Sequence, residues 1–272
     1  MSLARTDTIV NSPQPAQKGS ETTRDAFLDG RLTVLQPRNG PRAAIDALFL
    51  AAAIPAIEGK GQSVLEAGMG TGIAALALCS RITDCHVTGV DVQGELLALA
   101  LENVSQNKFE DRITLVEADI TAGGEPLEAA GLLRESFQHV TANPPFFTSG
   151  KTREQADPST ARAYTAQPGD LEKWVRFFTA MAAPRATLTL IHRTEALEEL
   201  LALLKGRFGA LVVYPLFPKK GAPAKRVLVQ GIKGSRAPLE LVQGMVLHEA
   251  DGSYTEQADL ILRGGAGLEI RP

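Results

Sequence analysis

The sequence predicts an α/β fold: a mostly parallel sheet with helices on both faces and an antiparallel hairpin toward the C-terminus. Three observations carry this. Between residues 63 and 142, short apolar runs alternate with Ala/Leu-rich stretches of helical period, the pattern of strands joined by crossover helices. A glycine-rich turn, Gly68-Met69-Gly70-Thr71-Gly72, stands between the first such run and the first such helix, where the backbone must turn tightly and can approach a ligand. Further on, the apolar runs 210–216 and 226–231 are close enough in sequence to pair.

Composition bounds the class. With 272 residues, 44% hydrophobic and 22% charged, the chain can bury a sizeable core and has the balance of a soluble globular protein. No run approaches the ~20 apolar residues of a membrane span. The first residues lack a basic-then-apolar leader pattern, so a cytoplasmic protein is expected. Two cysteines, Cys79 and Cys85, cannot frame a disulfide scaffold, and four scattered histidines show no ligand spacing, so no metal is expected. The net charge is −3, yet residues 200–239 hold eight basic residues and no acid, which can create a local positive face suited to phosphate backbones. A solvated hairpin that merely lacks acids would read the same way.

Taken in order, residues 1–24 are rich in Ser, Thr, Pro and Gln and are expected to be a disordered arm. Residues 25–272 form one domain, with 25–60 a strand-and-helix extension and 61–272 the core. In the extension, 31–36 alternates like a short strand, Pro37 and Pro41 break it, and 45–51 reads as a helix stopping near Pro55. Asp46 is an early acid on that apolar helix, where it complements the helix dipole. In the core, strands are expected over 63–66, 86–91, 113–116 and 137–142, helices over 72–81 and 94–107, and a helix or turn over 131–137. Segment 147–169 is polar, carries Lys151, Arg153, Arg162 and Tyr164, and far exceeds the ~4–6 residues of a passive connector, so it reads as a lid or substrate loop. A helix over 171–182, a strand over 186–191 and a helix over 195–204 lead to the hairpin, whose connection bears Lys219, Lys220 and Lys225.

The residues that carry chemistry fall on the turns after the strands. The glycine turn lacks the G-x-G-x-x-G spacing of dinucleotide sites and is weak alone. Asp91, at the end of the next strand, can accept two hydrogen bonds from ribose hydroxyls, or cap the following helix. Glu66 could hold a cationic group or backbone amides, and Asp119 could contact an adenine amino group or cap its own turn. Three acids disfavour a pyrophosphate and suit a cation, so S-adenosylmethionine fits better than NAD. In Asn143-Pro144-Pro145-Phe146, two prolines forbid helix and hold the Asn amide rigid, with an aromatic ring beside it. That combination suits gripping a flat, amine-bearing ring.

The order of the glycine turn, Asp91, Asp119 and Asn143-Pro144-Pro145-Phe146 resembles the Rossmann-like (class I) S-adenosylmethionine methyltransferases. The tetrapeptide looks like the Asn-Pro-Pro-aromatic motif of enzymes that methylate amino nitrogens conjugated to a ring or carbonyl. More narrowly, Gln36-Pro37-Arg38-Asn39-Gly40-Pro41-Arg42 with Asp46, the Asn-Pro-Pro-Phe turn, and Asp251-Gly252-Ser253-Tyr254-Thr255-Glu256 are similar to the bacterial tRNA(Val) (adenine-N6)-methyltransferase family, over roughly residues 25–262. One departure is Met69, where many relatives have Cys or Ala; it is expected to point along the turn without harming activity.

The resemblance implies a seven-stranded, mostly parallel sheet, S-adenosylmethionine as cofactor, no metal, and tRNA or another structured RNA as partner of a monomer or homodimer. It implies cofactor contacts from Arg42, Asp46, Glu66, Gly68, Gly70, Thr71, Gly72, Asp91, Val92, Asp119, Ile120 and Asn143, and catalytic positions at Asn143, Pro144, Pro145 and Phe146. Phe147, Arg162, Tyr164, Lys219, Lys220, Lys225 and Arg226 are the expected substrate contacts. The implied activity is methylation of an exocyclic adenine amine 3′ of the anticodon. A ribosomal-RNA guanine-N2 methyltransferase, a glutamine-amide protein methyltransferase and a non-catalytic RNA-binding module remain alternatives.

Overall fold

The computed structural model describes residues 9–10, 22–38, 45–56, 61–145 and 169–271. The chain opens with β1 (Ile9–Val10), β2 (Thr22–Phe27), β3 (Leu32–Pro37) and α1 (Ile45–Ala53). There follow β4 (Gln62–Ala67), α2 (Ile73–Arg81), β5 (Cys85–Asp91), α3 (Gly94–Gln106), β6 (Ile113–Glu117), α4 (Gly124–Ala129) and β7 (Phe137–Ala142). The C-terminal half adds α5 (Asp170–Met181), β8 (Ala182–Arg193), α6 (Leu197–Leu204), β9 (Phe208–Lys219), β10 (Arg226–Lys233), β11 (Glu240–Leu241), β12 (Met245–His248) and α7 (Glu256–Leu262).

The main sheet runs β1-β6-β5-β4-β7-β8-β10-β9-β11, with β12 also on β9. Pairing is parallel from β1 to β8, and β10 lies antiparallel between β8 and β9. The expected seven strands and hairpin are therefore the centre of the sheet, and the short β1, β11 and β12 bring it to ten. Alternation along the strands divides the core. In β10, Leu228 faces the layer of α1, α2, α3 and α7, whereas Val227 and Val229 face that of α5 and α6.

One local reading needs correction. Residues 1–24, expected to lack structure, supply β1 and the start of β2, because main-chain pairing to β6 and β3 needs no apolar face. The helix or turn expected over 131–137 is a turn, at Gly131 and again at Arg134 and Glu135, and a short helix precedes it at Gly124–Ala129, where Pro126 sits in the first turn and costs no helical N–H. Met69 is buried beneath the glycine turn: its Sδ fills the space left by Gly89, where a Cβ would come within 2.0 Å of it, and its Cε reaches along the turn to Gly72. Gly89→Ala is therefore expected to destabilise the protein by about 1–3 kcal/mol through overpacking. Adding Met69→Ala should recover much of that loss in urea unfolding.

β3 is held on its second edge by side chains. Asn103 of α3 accepts from Leu35 N and donates to Leu35 O, and Asn107, one turn on, does the same for Thr33. Asn103 also donates to Thr71 O at 3.0 Å, so one buried amide ties the N-terminal hairpin to the glycine turn.

Candidate active site

The topology decides where the site lies. The chain builds β4, β5 and β6 outward in one direction and then returns to place β7 on the other side of β4. Turns at the carboxyl ends of β4 and β7 thus open on either side of one crevice, at the switch point where such sheets bind ligands. Ala67 is the register partner of both Val90 and Ala142, so Gly68 and Asn143 are the next residues on neighbouring strands. A cavity of about 510 Å³ opens there, within the range of small-ligand sites.

The glycine turn is pinned from beneath, Gly68 N donating to Val90 O at 2.7 Å. Gly68 has φ +65°, and a Cβ there would meet Cη2 of Trp174 at 2.7 Å, so the edge of the indole packs directly on the turn. Trp174 is steadied by Phe178 one turn further along α5, their ring centroids 6.0 Å apart. Asp91 accepts from Gly70 N at 2.8 Å and Gln93 N at 3.0 Å, one amide on each oxygen, which orients the carboxylate and leaves lone pairs for a ligand. Burial raises its pKa, opposed by the amides of Gln93, Gly70 and Val92.

Glu66, on β4 at the floor of the cavity, is pushed up to about 8, chiefly by burial; a hydrogen bond from the Ala75 amide opposes this and the Asp91 charge adds to it. Asp119 is exposed at the rim, and its Oδ1 accepts from Thr121 N and Oγ1, so the turn-capping role is realised while the residue still lines the cavity. Val92, 62% exposed, and Ile120 add apolar surface to the wall. Asn143 reaches the same wall with Pro144 and Pro145, and its Oδ1 is buried with no hydrogen-bond partner among the described residues. A buried amide oxygen without a donor costs about 1–3 kcal/mol, a deficit that a bound N–H would remove.

The structure thus brings Asp46, Glu66, Gly68, Gly70, Thr71, Asp91, Val92, Asp119, Ile120, Asn143, Pro144, Pro145 and Arg226 around one cavity. Gly72 is a correction: it lies outside the lining, with φ 86° at the N-cap of α2. Arg226, expected as a substrate contact, reaches the cavity wall, where its Nε donates to Asp46 Oδ2 at 2.7 Å. That pairing occupies the carboxylate expected to contact cofactor. Lys219, Lys220 and Lys225 stay exposed at the β9–β10 connection, clear of the lining. Arg42, Phe146, Phe147, Arg162, Tyr164 and the loop 147–168 lie outside the described residues. Among the wall residues that sequence reasoning did not single out are Trp174 and Arg193. Being the single tryptophan, on an amphipathic helix, was the signal available for Trp174; Arg193 ends a strand and had none.

Among the described residues no group of three His, Cys, Asp or Glu could hold a metal ion, and no helix is long and apolar enough to cross a membrane. Residues 64–156 match the model of a methyltransferase domain. The chain is 27% identical over 211 residues, 76% of its length and 83% of the relative's, to the tRNA1(Val) (adenine(37)-N6)-methyltransferase of Actinobacillus pleuropneumoniae. It is 29% identical to the enzyme of that name from Mannheimia succiniciproducens, over 73% of this chain and 77% of the relative. A solved structure described as a predicted O-methyltransferase from Agrobacterium tumefaciens superposes with a TM-score of 0.69 at 28% identity, covering 82% of this chain and 98% of the other. With the domain match, these relatives and a switch-point crevice walled by acids and a buried amide oxygen, the chain is a Rossmann-like, S-adenosylmethionine-dependent methyltransferase.

Proposed function

We propose that the enzyme methylates the exocyclic N6 amine of an adenine in tRNA, at the nucleotide 3′ of the anticodon. The observation that carries this reading is the unpartnered, buried Oδ1 of Asn143 in the cavity wall. Bound S-adenosylmethionine supplies an electrophilic methyl group on a sulfonium. On the chain's side, Asp91 would accept from the ribose hydroxyls and Asp119 from the adenine amine, with Val92 and Ile120 against the ring. Glu66 would face the cationic end.

An exocyclic amine shares its lone pair with the ring and is a poor nucleophile. By accepting one N–H, with the Pro144 carbonyl taking the second, Asn143 would draw the nitrogen toward tetrahedral geometry and release the lone pair for in-line attack. The nitrogen would gain the methyl as the methyl–sulfur bond breaks and its electron pair stays on sulfur as a neutral thioether, and the cationic nitrogen would then lose a proton to water. Positioning and electrostatics supply the acceleration, and the base must first be extruded into the site. Phe146 would stack on it. An oxygen acceptor would instead need a base to remove its hydroxyl proton, and the amide of Asn143 is not basic, which favours nitrogen. We read the extension over 25–60 and the core over 61–272 as one working unit, supported by the bonds from Asn103 to both Leu35 and Thr71. We take it to act in the cytoplasm as a monomer or homodimer, to be distinguished by sedimentation.

Tritium transfer from labelled cofactor to total RNA, followed by nucleoside analysis, tests the reading. N6-methyladenosine in tRNA is expected; label in guanosine or in protein would replace it with a rival. Lys219, Lys220 and Lys225 stand at the carboxyl edge of the sheet, the same edge as the cavity, because β10 starts there beside the end of β8. Reversing all three charges should weaken tRNA binding and reduce the slope of log affinity against log salt by about 0.9 for each phosphate no longer neutralised. An unchanged slope would show that RNA docks elsewhere.

A further inference from the structure

Trp174 lines the cavity yet takes no part in holding the acceptor amine. It is the single tryptophan of the chain, and packing fixes its place on α5. A Cβ on Gly68 would meet Cη2, Cζ3 and Cζ2 of the ring at 2.7, 3.5 and 3.7 Å, so the six-membered edge of the indole abuts the glycine turn. Only a residue without a side chain allows that approach. On the same helix the fully buried Phe178 ring stands 6.0 Å away, centroid to centroid, tilted by 58°.

Strand order puts this contact at the reacting end of the cofactor. Asp119 lies just beyond β6, Asp91 ends β5 and Glu66 is on β4, and the sheet runs β6-β5-β4-β7. With the adenine toward Asp119 and the ribose toward Asp91, the ligand crosses the carboxyl edge toward β4. Its sulfur then arrives where Gly68 opens the turn. Asn143 follows the neighbouring β7, and Arg193 and Arg226 line the cavity beyond it, on β8 and β10. A methyl group passing to an acceptor held by Asn143 must leave from beside Gly68, and the indole is what flanks Gly68.

A sulfonium is a cation with no N–H or O–H to donate, so hydrogen-bond acceptors grip it poorly. The face of an aromatic ring attracts it through the ring quadrupole, tryptophan most strongly, out to about 6 Å from the centroid. The demethylated product is a neutral thioether of nearly the same shape. An aromatic wall at this point separates the two by charge and loosens its hold once the methyl has gone.

We infer that Trp174 is a specificity-determining residue whose indole recognises the positive charge on sulfur, favouring S-adenosylmethionine over S-adenosylhomocysteine and easing product release. The inference rests on the cofactor orientation proposed above and is independent of which amine is methylated. Its test accordingly needs no RNA. Calorimetry on the full chain gives the affinities of both ligands, and their ratio is the quantity read. Trp174→Leu, which keeps apolar volume without a π-system, should lower the preference for S-adenosylmethionine roughly tenfold, the scale of a desolvated cation–π contact. Trp174→Phe should fall between. Glu66 is unaltered in every arm, so any preference it confers is common to all.

A merely structural role would loosen the Gly68 turn and weaken both ligands alike. An unchanged ratio therefore overturns the inference. Wild type supplies a second measurement that no folding defect can spoil, because its tryptophan emission comes from this one indole. Emission should change on saturation with either ligand and differ between the two complexes. Identical emission from both would place the charge away from the ring and overturn the inference, whatever the variants do. A variant that loses RNA affinity with its cofactor ratio intact would do the same, for the indole would then serve the target base. Failure of the adenine reading is seen separately, in the nucleoside that receives the label.

Discussion

Asn143→Ala lowers the rate of methyl transfer by about 10²–10³-fold, the cost of removing one preorganised polar group at a reacting centre, with S-adenosylmethionine affinity close to wild type. The split follows from where the atom stands. Asn143 Oδ1 is buried at the cavity wall with no donor among the described residues, so it is open to a hydrogen bond from a ligand. If that ligand is the substrate amine, the bond strengthens as the nitrogen takes positive charge and acts on kcat more than on ground-state binding. The two prolines that follow hold the backbone, so the truncation leaves the turn in place. Single-turnover tritium transfer at saturating RNA reads the rate and calorimetry reads the cofactor. A loss confined to cofactor affinity would show that this oxygen serves the cofactor instead.

The second large effect is a pH dependence seated in Glu66. Burial holds its carboxyl protonated up to about 8, against an ordinary 4.5. In the free protein the folded state therefore keeps a proton that the unfolded chain gives up, so stability falls as pH rises from about 4.5 to 8 and levels off above. A cation placed against Glu66 reverses the preference, since its charge favours the ionised form. S-adenosylmethionine binding should then release a proton below pH 8 and tighten by up to about tenfold per pH unit, reaching a plateau above that value. Calorimetry in two buffers of different ionisation enthalpy measures the proton directly. Glu66→Gln should bind more weakly, release none, and lose the decline in melting temperature between pH 5 and 8. A wild-type protein that releases no proton on binding would place the cationic end of the cofactor elsewhere.

Much of the architecture was legible in the chain because its signals are local. Ile113–Glu117 and Phe137–Ala142 are short apolar runs beside turn residues, and the helix Gly94–Gln106 carries its apolar side at helical spacing, so each declares itself without reference to the rest. β2 did not, for Thr-Thr-Arg-Asp-Ala-Phe has no apolar alternation; its pairing depends on β3, which Asn103 and Asn107 hold from the far side. Arg226 read as one more exposed base in a basic hairpin, since its partner Asp46 lies 180 residues away in sequence.

Sequence by itself determined which groups the chemistry can use: the glycine turn, the acids at the strand ends, and an amide made rigid by two prolines. Each is a property of a few adjacent residues and their backbone preferences. Tertiary structure alone decided which of them share a cavity and on which side of Asn143 each charge stands. It placed Trp174 against Gly68, Met69 beneath Gly89, and Arg193 opposite Arg226. Those contacts arise where strand order and register bring distant segments together, and the order in which strands join a sheet is not a local property of any one of them.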